Sequence, residues 1–372
     1  MKERKSKLRI RNLINFVSKR NNALTIVSFL ILGLALYFID NNLDHYKIRI
    51  LNLCAIYVVL SLSMNLINGF TGLFSLGHAG FIAIGAYTTA ILAMPLAVKA
   101  QNFFLAPMMK PLDSIVLPFV IALIIGGALS AFIAYLIGAP ALRLKGDYLA
   151  IATLGFAEII RVVLTNVQTV TNGALGLKGI PPIINVWWTF GIAIITVVFI
   201  LSLINSSYGR ALKAIREDEI AAESMGISLF KHKVIAFMIG AFFAAIGGGL
   251  LANLLGTIDP LMFRFTLTFN ILLIIVLGGM GSVTGTVIAA FVITIAGEAL
   301  RFLDETINLG FVQIKGIQGM RMVVFSALLM LAVLFFRNGV MGTREFSWDK
   351  LISFLKKPSN TLRRKTAAKG GK

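Results

Sequence analysis

Long apolar runs alternate with short polar stretches along most of the chain, and this pattern predicts a series of membrane-spanning helices. A run of about 18 or more apolar residues can cross the hydrocarbon core of a bilayer as one helix. Two of the runs are short enough to predict tilted, broken or re-entrant segments. The pattern therefore predicts an all-α, polytopic membrane protein of about ten transmembrane helices. The predicted spans are Ala23–Ile39, Ile50–Ile67, Ala79–Val98, Ile115–Ile137, Tyr148–Leu164, Val186–Ile204, Val234–Leu255, Phe265–Leu277, Val287–Phe302 and Gly319–Phe336.

The composition supports a membrane protein and argues against a soluble domain, because 58% of the 372 residues are hydrophobic and the mean hydropathy is +0.87. The net charge of +19 is concentrated at the ends, where residues 1–22 and 337–372 together carry 18 Lys/Arg and 3 acids. Basic residues beside spans mark the cytoplasmic side of a membrane. We therefore predict basic cytoplasmic tails at 1–22 and 337–372, a transmembrane domain at 23–336, and anionic lipid rather than nucleic acid as the partner of the tails.

The number of spans is linked to this orientation. Ten spans return the C-terminus to the side of the N-terminus, so both basic tails lie in the cytoplasm, whereas an odd number would place one of them outside. The same count places the polar segment 205–233 and its five Lys/Arg in the cytoplasm. An even number of spans is therefore the prediction that we weight above any single boundary.

The segment 205–233 carries nine charged residues between two apolar runs. Leu212, Ile215, Ala222 and Met225 fall within one arc of a helical wheel, and Lys213 and Glu217 have the spacing of a side-chain pair, which predicts one helix from Gly209 to Gly226 with Gly226 as its C-terminal cap. A solvated connecting helix is one interpretation. The other is a helix that docks on a soluble partner, with small Ala221 and Ala222 allowing close approach.

A second informative stretch, Asn65–Ala90, is rich in glycine and small polar residues, a composition that predicts poor continuous helix. Irregular backbone at membrane depth is tolerated where it is buried in protein or lines a cavity. The stretch is therefore either a tight cytoplasmic turn with close helix packing or part of a pathway through the membrane. Its one histidine, His78, does not make a metal site, and we predict none.

Four motifs, in order along the chain, resemble those of branched-chain amino acid permeases among the ABC importers. They are Ser75–Tyr87 (S-L-G-H-A-G-F-I-A-I-G-A-Y), Pro140–Leu149 (P-A-L-R-L-K-G-D-Y-L), Thr171–Pro181 (T-N-G-A-L-G-L-K-G-I-P) and Leu277–Gly285 (L-G-G-M-G-S-V-T-G). The resemblance covers about residues 50–336 and is to the longer of the two permease subunits in particular. It implies the ABC importer permease fold, in the inner (plasma) membrane of a bacterium.

The resemblance also implies functional residues. The order A-A-E-S-M-G within 205–233 is similar to the cytoplasmic coupling loop of such permeases, which sits in a groove of the ATPase subunit. The residues implied for coupling to the ATPase are Arg210, Ala214, Ile215, Ala221, Ala222, Glu223 and Gly226. Those implied for the translocation pathway and its gating are Asn65, Gly72, Ser75, Gly77, His78, Gly80, Asn270, Gly278 and Gly281.

The resemblance implies an assembly of this chain with a second, different permease subunit, two ATP-binding-cassette ATPases and a substrate-binding protein that delivers leucine, isoleucine or valine. The sequence has no G-x-x-x-x-G-K-[ST] phosphate loop, so we predict a transporter subunit, not an enzyme, without cofactor, whose partner ATPases use the ATP. Alternatives are a related importer of urea or short amides, or a passive channel or secondary transporter.

Two Glu-x-x-Arg sequences, Glu158–Arg161 and Glu298–Arg301, occur at predicted outer ends of spans. Binding proteins commonly present acidic residues to permeases, so Arg161 and Arg301 are possible docking residues. The alternative is that each arginine forms an interfacial ion pair with the glutamate three residues before it.

Overall fold

The computed structural model describes residues 27–342, except residues 29, 145, 304–306, 309–312, 315–319 and 336–338, and residue 345. The predicted tail at 1–22 and most of the tail at 337–372 lie outside the described residues. The chain divides into two units, Met1–Leu43 with Glu345–Lys372, and Asp44–Arg344. Within the described part of the first unit, one apolar helix, α1 (Leu30–Asn42), covers part of the first predicted span.

The second unit is almost entirely helical, as predicted. Among its described residues, two short antiparallel strand pairs join β1 (Leu177–Lys178) to β2 (Thr257–Ile258) and β3 (Ile307–Asn308) to β4 (Gln313–Ile314). A π-helical segment, Leu66–Phe70, directly continues the first helix of this unit, and 3₁₀ turns lie at Gly173–Leu175, Pro260–Phe263 and Leu300–Leu303. The α-helices are α2 (His45–Asn65), α3 (His78–Ala93), α4 (Leu96–Asn102), α5 (Phe119–Ala141), α6 (Asp147–Asn166), α7 (Gln168–Thr171), α8 (Val186–Asn205), α9 (Ser207–Glu217), α10 (Glu219–Ser224), α11 (Leu229–Leu255), α12 (Phe265–Gly278), α13 (Val283–Ala299) and α14 (Met320–Phe335).

An apolar helix lies at each of the ten predicted span positions. Among the described residues, five are long and apolar enough to cross a membrane: α2 with its π segment, α5, α6, α8 and α11. Helices α1, α3, α12 and α13 are apolar but shorter, with 10 to 17 described residues each. The prediction of a polytopic, all-α membrane protein is confirmed.

The centre of the second unit is formed by α2 and α11, whose apolar stretches are each 78% buried. Helix α11 packs along α2, α3 and α5. The contact with α3 depends on glycine, because a Cβ at Gly85 would overlap the backbone of Ala245, and a Cβ at Gly248 would overlap the carbonyl of Ile82. Small residues of this kind let helix backbones approach closely where lipid supplies no hydrophobic driving force between helices.

Helices α5, α6 and α8 lie at the periphery, with only 22% to 33% of their apolar stretches buried. Large apolar side chains such as Ile124, Phe132, Ile151 and Ile195 are exposed on them. An apolar exposed face is unfavourable in water and normal in a bilayer. These helices therefore have the surface expected of lipid-facing spans.

One expectation about the glycine-rich stretch is wrong. Gly80 and Gly85 lie inside the continuous helix α3, and the irregular backbone is confined to the residues before His78. Both positions serve packing: a Cβ at Gly80 would lie 3.1 Å from the Cα of Ala157 on α6, as Gly85 would meet α11. Close contact with two neighbouring helices outweighs the low helix propensity of glycine.

Candidate functional site

The end of α2 is joined to the turn between α12 and α13 by one buried asparagine. The side-chain amide of Asn65 donates to the carbonyl of Ser282 at 3.0 Å and to Oγ1 of Thr286 at 2.8 Å. Its oxygen accepts from the backbone N–H of Gly281 at 3.0 Å. Because Asn65 is fully buried, these three bonds replace the water that it gives up on folding.

Directly after Asn65 the chain changes from α- to π-helix, a transition often found at functional sites. The carbonyl of Gly69, within the π segment, accepts a hydrogen bond of 2.9 Å from Nη1 of Arg216 on α9. Gly72 has a φ of 74°, and a Cβ there would lie 2.8 Å from Cγ of Arg216. Gly281 has a φ of 87°, and its Cβ would lie 2.6 Å from Nη1 of the same arginine.

Arg216 therefore fits between two glycine-containing loops that come from opposite halves of the sequence. We call the group Asn65, Gly69, Gly72, Arg216 and Gly281 the junction. Nε and Nη2 of the arginine also contact Oε1 of Glu217, at 3.2 and 2.6 Å, and its side chain is 25% exposed. The junction thus links α9, in the charged segment, to the ends of α2 and α12.

The charged segment forms two helices, so the prediction of one helix from Gly209 to Gly226 is wrong. Helix α9 ends at Glu217, and Oδ1 of Asp218 accepts from the backbone N–H groups of Ile220 and Ala221 at 2.9 and 3.0 Å, as the N-cap of α10. The predicted C-terminal cap is confirmed, because Gly226 has a φ of 82° and Ile227 N–H donates to the carbonyl of Ala222.

The break separates residues that were predicted to share one face. Leu212, Ile215 and Ala222 are buried against the chain itself, whereas Met225 is 83% exposed and Ile220 is 77% exposed. Ala222 therefore anchors α10 and does not face outward as Ala221 does. The predicted pair of Lys213 and Glu217 is also absent: Lys213 lies 5.9 Å above the ring of Phe70, and Glu217 pairs with Arg216.

The remaining residues predicted for coupling lie on the outer side of the segment. Arg210, Ala221, Glu223 and Gly226 are exposed, and Ala214 is half-buried. Ala221 and Glu223, with Ile220 and Met225, give α10 and its C-cap an outward surface of mixed apolar and charged character. We call Ile220, Ala221, Glu223 and Met225 the exposed face of α10.

Two contacts hold this segment against α11. Nζ of Lys233 lies 2.6 Å from Oε1 of Glu219 on α10, and the lysine side chain is only 9% exposed. The hydroxyl of Tyr208 donates to the carbonyl of His232 at 2.7 Å, and the two rings stack at 5.0 Å. Burial raises the pKa of Tyr208, so this hydroxyl keeps its proton at neutral pH.

The loop between the π segment and α3, with the first residue of α3, holds three more of the residues predicted for the pathway: Ser75, Gly77 and His78. Ser75 N–H donates to Oδ1 of Asn68 at 3.3 Å, and the amide of Asn68 returns a bond of 3.2 Å to the carbonyl of Ser75. A Cβ at Gly77 would lie 2.6 Å from the carbonyl of Thr153 on α6. His78 is buried, and its Nε2 lies 2.8 Å from Oγ of Ser63 on α2.

The structure thus brings Asn65, Gly72 and Gly281 together in the junction and places Ser75 and Gly77 in the adjoining loop and His78 at the start of α3. Gly278 packs against the backbone of Gly285, where a Cβ would lie 2.6 Å from the carbonyl carbon. Asn270 lies apart from this group, exposed on α12 and bordering a cavity. Arg216 and Gly69 were not predicted for this site, although Arg216 belongs to the charged pattern of 205–233.

The two Glu-x-x-Arg sequences differ in their surroundings. On α6, Nε of Arg161 lies 2.7 Å from Oε2 of Glu158, an ion pair whose side chains are 22% and 38% exposed. At the end of α13, the guanidinium of Arg301 lies 5.8 Å above the ring of Tyr46, whose hydroxyl donates to Oε2 of Glu298 at 3.1 Å. In the described part of the chain, no group of three or more His, Cys, Asp or Glu could hold a metal ion.

Apolar helices with lipid-type outer faces, a buried polar junction and a charged segment anchored to it define a polytopic membrane protein of the permease class. The chain belongs to the family described as branched-chain amino acid transport system / permease component, which matches residues 46–336. It is 35% identical to the high-affinity branched-chain amino acid transport system permease protein LivM of Escherichia coli K12, over 76% of this chain and 69% of that protein.

Two further relatives are more distant. The chain is 27% identical to the probable branched-chain amino acid transport permease protein LivM of Methanocaldococcus jannaschii, over 62% of this chain and 74% of that protein. It is 25% identical to the high-affinity branched-chain amino acid transport system permease protein LivH of Escherichia coli K12, over 78% of this chain and 92% of that protein. The resemblance to the longer permease subunit is confirmed.

Proposed function

We propose that this chain provides the translocation pathway of an ATP-driven importer for leucine, isoleucine and valine, and that α9 and α10 transmit the movement of a separate ATPase to it. The observation that carries the proposal is the junction. Through Arg216, a segment with an exposed apolar face is hydrogen-bonded to Gly69 at the end of α2 and packs against Gly281 after α12. A movement of α10 reaches α9 across the single residue Asp218, and Arg216 carries it from α9 to these two helix ends.

The exposed face of α10 is the proposed ATPase contact. Ile220 and Met225 are large apolar side chains whose exposure is unfavourable in a helix that only connects two spans through water. Glu223 beside them can pair with basic residues of a groove in a partner protein. Their opposite side, at Ala222, is buried in the chain. The face is thus presented on a support that is itself fixed by Lys233 and the junction.

The substrate class is proposed from the relatives, whose names state branched-chain amino acid transport. The second permease subunit is proposed from the same comparison. One bacterium, Escherichia coli K12, has two permeases that match this chain, and the chain is 35% identical to one and 25% to the other. A chain that resembles one member of a pair more closely fits a heterodimer better than a homodimer. A substrate-binding protein completes the proposed assembly.

The proposed orientation places both termini, α9 and α10 in the cytoplasm of a bacterium, in its inner membrane. Support comes from the basic residues at both ends of the sequence and around the junction. Glu158, Arg161, Glu298 and Arg301 then lie toward the outer surface, where a binding protein arrives. Arg301 is the proposed docking residue at that surface, whereas Arg161, the other candidate, already pairs with Glu158 at 2.7 Å.

The test is a substitution on the exposed face of α10 in the full importer complex. Ile220→Glu should weaken association of the ATPase subunits about tenfold or more, because it places a charge in an apolar contact. It should leave folding unchanged, because the side chain is exposed. Leu261→Glu, at another exposed apolar position, is the matched control and should keep full ATPase association.

The same preparations, reconstituted in vesicles with or without internal ATP, give the transport readout. We expect leucine uptake that requires ATP and falls with Ile220→Glu. Leucine uptake that continues without ATP would instead assign the protein to passive or secondary transport. ATP-driven uptake of urea or a short amide in place of leucine would keep the importer and replace its substrate.

A further inference from the structure

Helices α2 and α13 pack side by side, and polar side chains follow their contact at the end that begins α2. On α2, Tyr46, Leu53 and Tyr57 are separated by seven and four residues, so they share one face. On α13, Thr294 and Glu298 are one turn apart. An ionisable side chain within a transmembrane helix is a candidate for function even near the helix end, because charged residues are rare in such helices.

A pocket of about 540 Å³ opens at this end, and Tyr46, Arg49, Leu53, Glu298 and Arg301 border it. This volume lies in the range of roughly 300–1,000 Å³ that is usual for small-molecule sites. The pocket offers two guanidinium groups and one carboxylate. Guanidinium groups bind carboxylates through paired hydrogen bonds, and a carboxylate binds an ammonium group. These charges complement a zwitterion, which carries one charge of each sign.

A smaller cavity of about 130 Å³ lies deeper along the same helices. Ile274, Ile293 and Phe325 form apolar walls, and Asn270 and Thr294 add polar groups. An apolar cavity of about 150 Å³ in a protein can hold a benzene molecule. The cavity is therefore large enough for the branched side chain of an amino acid.

The pocket and the cavity are neighbours, because Leu53 and Glu298 border both of them. Gly297 precedes Glu298 and borders the cavity. A Cβ at Gly297 would lie 3.8 Å and 3.9 Å from ring atoms of Phe325, which is an ordinary contact distance. The glycine thus leaves open space that a Cβ would enter without overlap.

We propose that the pocket and the cavity together bind one amino acid on its way through the membrane. The α-ammonium group lies against Glu298, the α-carboxylate against Arg301 or Arg49, and the branched side chain enters the cavity toward Phe325. The proposal rests on the proposed function and extends it by naming the residues that recognise the substrate in the permease itself.

The test measures binding of radiolabelled leucine and alanine to the purified permease–ATPase complex in lipid nanodiscs, without the binding protein. Glu298→Gln should weaken leucine binding at least tenfold, because the ammonium group loses its counter-charge. Glu158→Gln is the matched control: it neutralises the glutamate of the other Glu-x-x-Arg pair, away from the cavity, and should bind leucine as the parent does.

Gly297→Val tests the cavity without changing any charge. It should weaken leucine binding at least tenfold and alanine binding less than twofold. The valine fills the cavity that the leucine side chain enters, and the alanine side chain is too short to need that space. The substitution suits a helix better than glycine does, so folding should be kept. Retention of the ATPase subunits through purification checks this for every variant.

The results separate the two proposals. A parent complex that imports leucine with ATP, but whose leucine binding is unchanged by Glu298→Gln and Gly297→Val, overturns this inference and leaves the proposed function standing. A parent complex that drives uptake of another solute and not of leucine overturns the proposed substrate. Equal losses of leucine and alanine binding in Gly297→Val would also overturn the inference, because they would indicate general disruption.

Discussion

The two ends of α2 differ sharply, although one helix of 21 residues connects them. At its start, Tyr46 and Arg49 are exposed and border a pocket. At its end, Asn65 is fully buried and bonded to two groups of the α12–α13 turn and to Thr286 in the first turn of α13. With a rise of 1.5 Å per residue, the distance from Tyr46 to Asn65 is about 29 Å, close to the thickness of a bilayer core.

The difference indicates that the two ends of α2 have different functions. The open end has space and charge, as a binding site requires, and the closed end has fixed bonds, as transmission of movement requires. Because a packed helix moves largely as one body, a displacement imposed at the junction changes the shape of the pocket at the other end. The comparison predicts that substitutions at the closed end affect stability and coupling, whereas those at the open end affect which substrate binds.

The largest effect is expected from Asn65→Leu. It removes three hydrogen bonds and leaves the buried N–H of Gly281 without the amide oxygen that it contacted, at a cost of about 3 kcal/mol or more. Thermal unfolding of the purified complex, followed by size-exclusion chromatography, measures the loss. Asn253→Leu is the control, because the amide of that buried asparagine bonds only within its own helix in the described structure. Equal losses of thermal stability in both variants would show that the closed end of α2 is no more important to stability than another buried asparagine.

An intermediate effect is expected from Arg216→Lys. Lysine keeps the positive charge but has no planar fork to contact Gly69 and Glu217 together. A hydrogen bond to a charged group contributes about 1.5–3 kcal/mol, so leucine uptake per ATP hydrolysed should fall about tenfold. Association of the ATPase subunits should not change, because the exposed face of α10 is intact.

Arg210→Lys on the same helix is the control for this prediction. Arg210 is exposed, and its contact with the carbonyl of Asn205 is long, at 3.4 Å. Uptake per ATP should therefore remain at the level of the parent chain. If Arg216→Lys also behaves like the parent, movement reaches α2 by a route other than the junction.

The sequence predicted the ten apolar helices because hydropathy is a local property. Each run, from Ile50–Ile67 to Gly319–Phe336, contains its own signal. The Asp218 break was missed although it carried a local signal too. Aspartate is a favoured N-cap residue, but the periodicity of Leu212, Ile215, Ala222 and Met225 suggested one continuous helix, and four matching positions outweighed a single cap.

The junction could not be predicted in the same way. Arg216 and Gly69 are separated by 147 residues, and neither residue type indicates the other. Asn65 and Gly281 were each identified by resemblance, but their bond depends on how α2 and α12 pack. The same holds for Glu298, whose relation to Tyr46 on α2 cannot be read from its similarity to Glu158. The local sequence pattern predicts the helices, whereas the contacts between helices can be read only from the folded structure.

The smallest effect is expected from Arg161→Gln, which asks whether proposed docking depends on the open end of α2 or on the outer surface generally. Arg161 is already paired with Glu158 at 2.7 Å on a peripheral helix, so its charge is largely compensated, and an exposed pair contributes about 0–1 kcal/mol. We expect the affinity for the binding protein to change less than twofold at both 20 and 200 mM salt, as approximate low and near-physiological conditions.

Arg301→Gln, beside the pocket, should weaken binding of the binding protein several-fold at low salt and less at high salt, since screening reduces an electrostatic contribution. A salt-dependent loss in Arg161→Gln equal to that in Arg301→Gln would extend the docking surface to α6. An affinity for the binding protein that neither substitution changes would mean that the open end of α2 binds the substrate but not the binding protein.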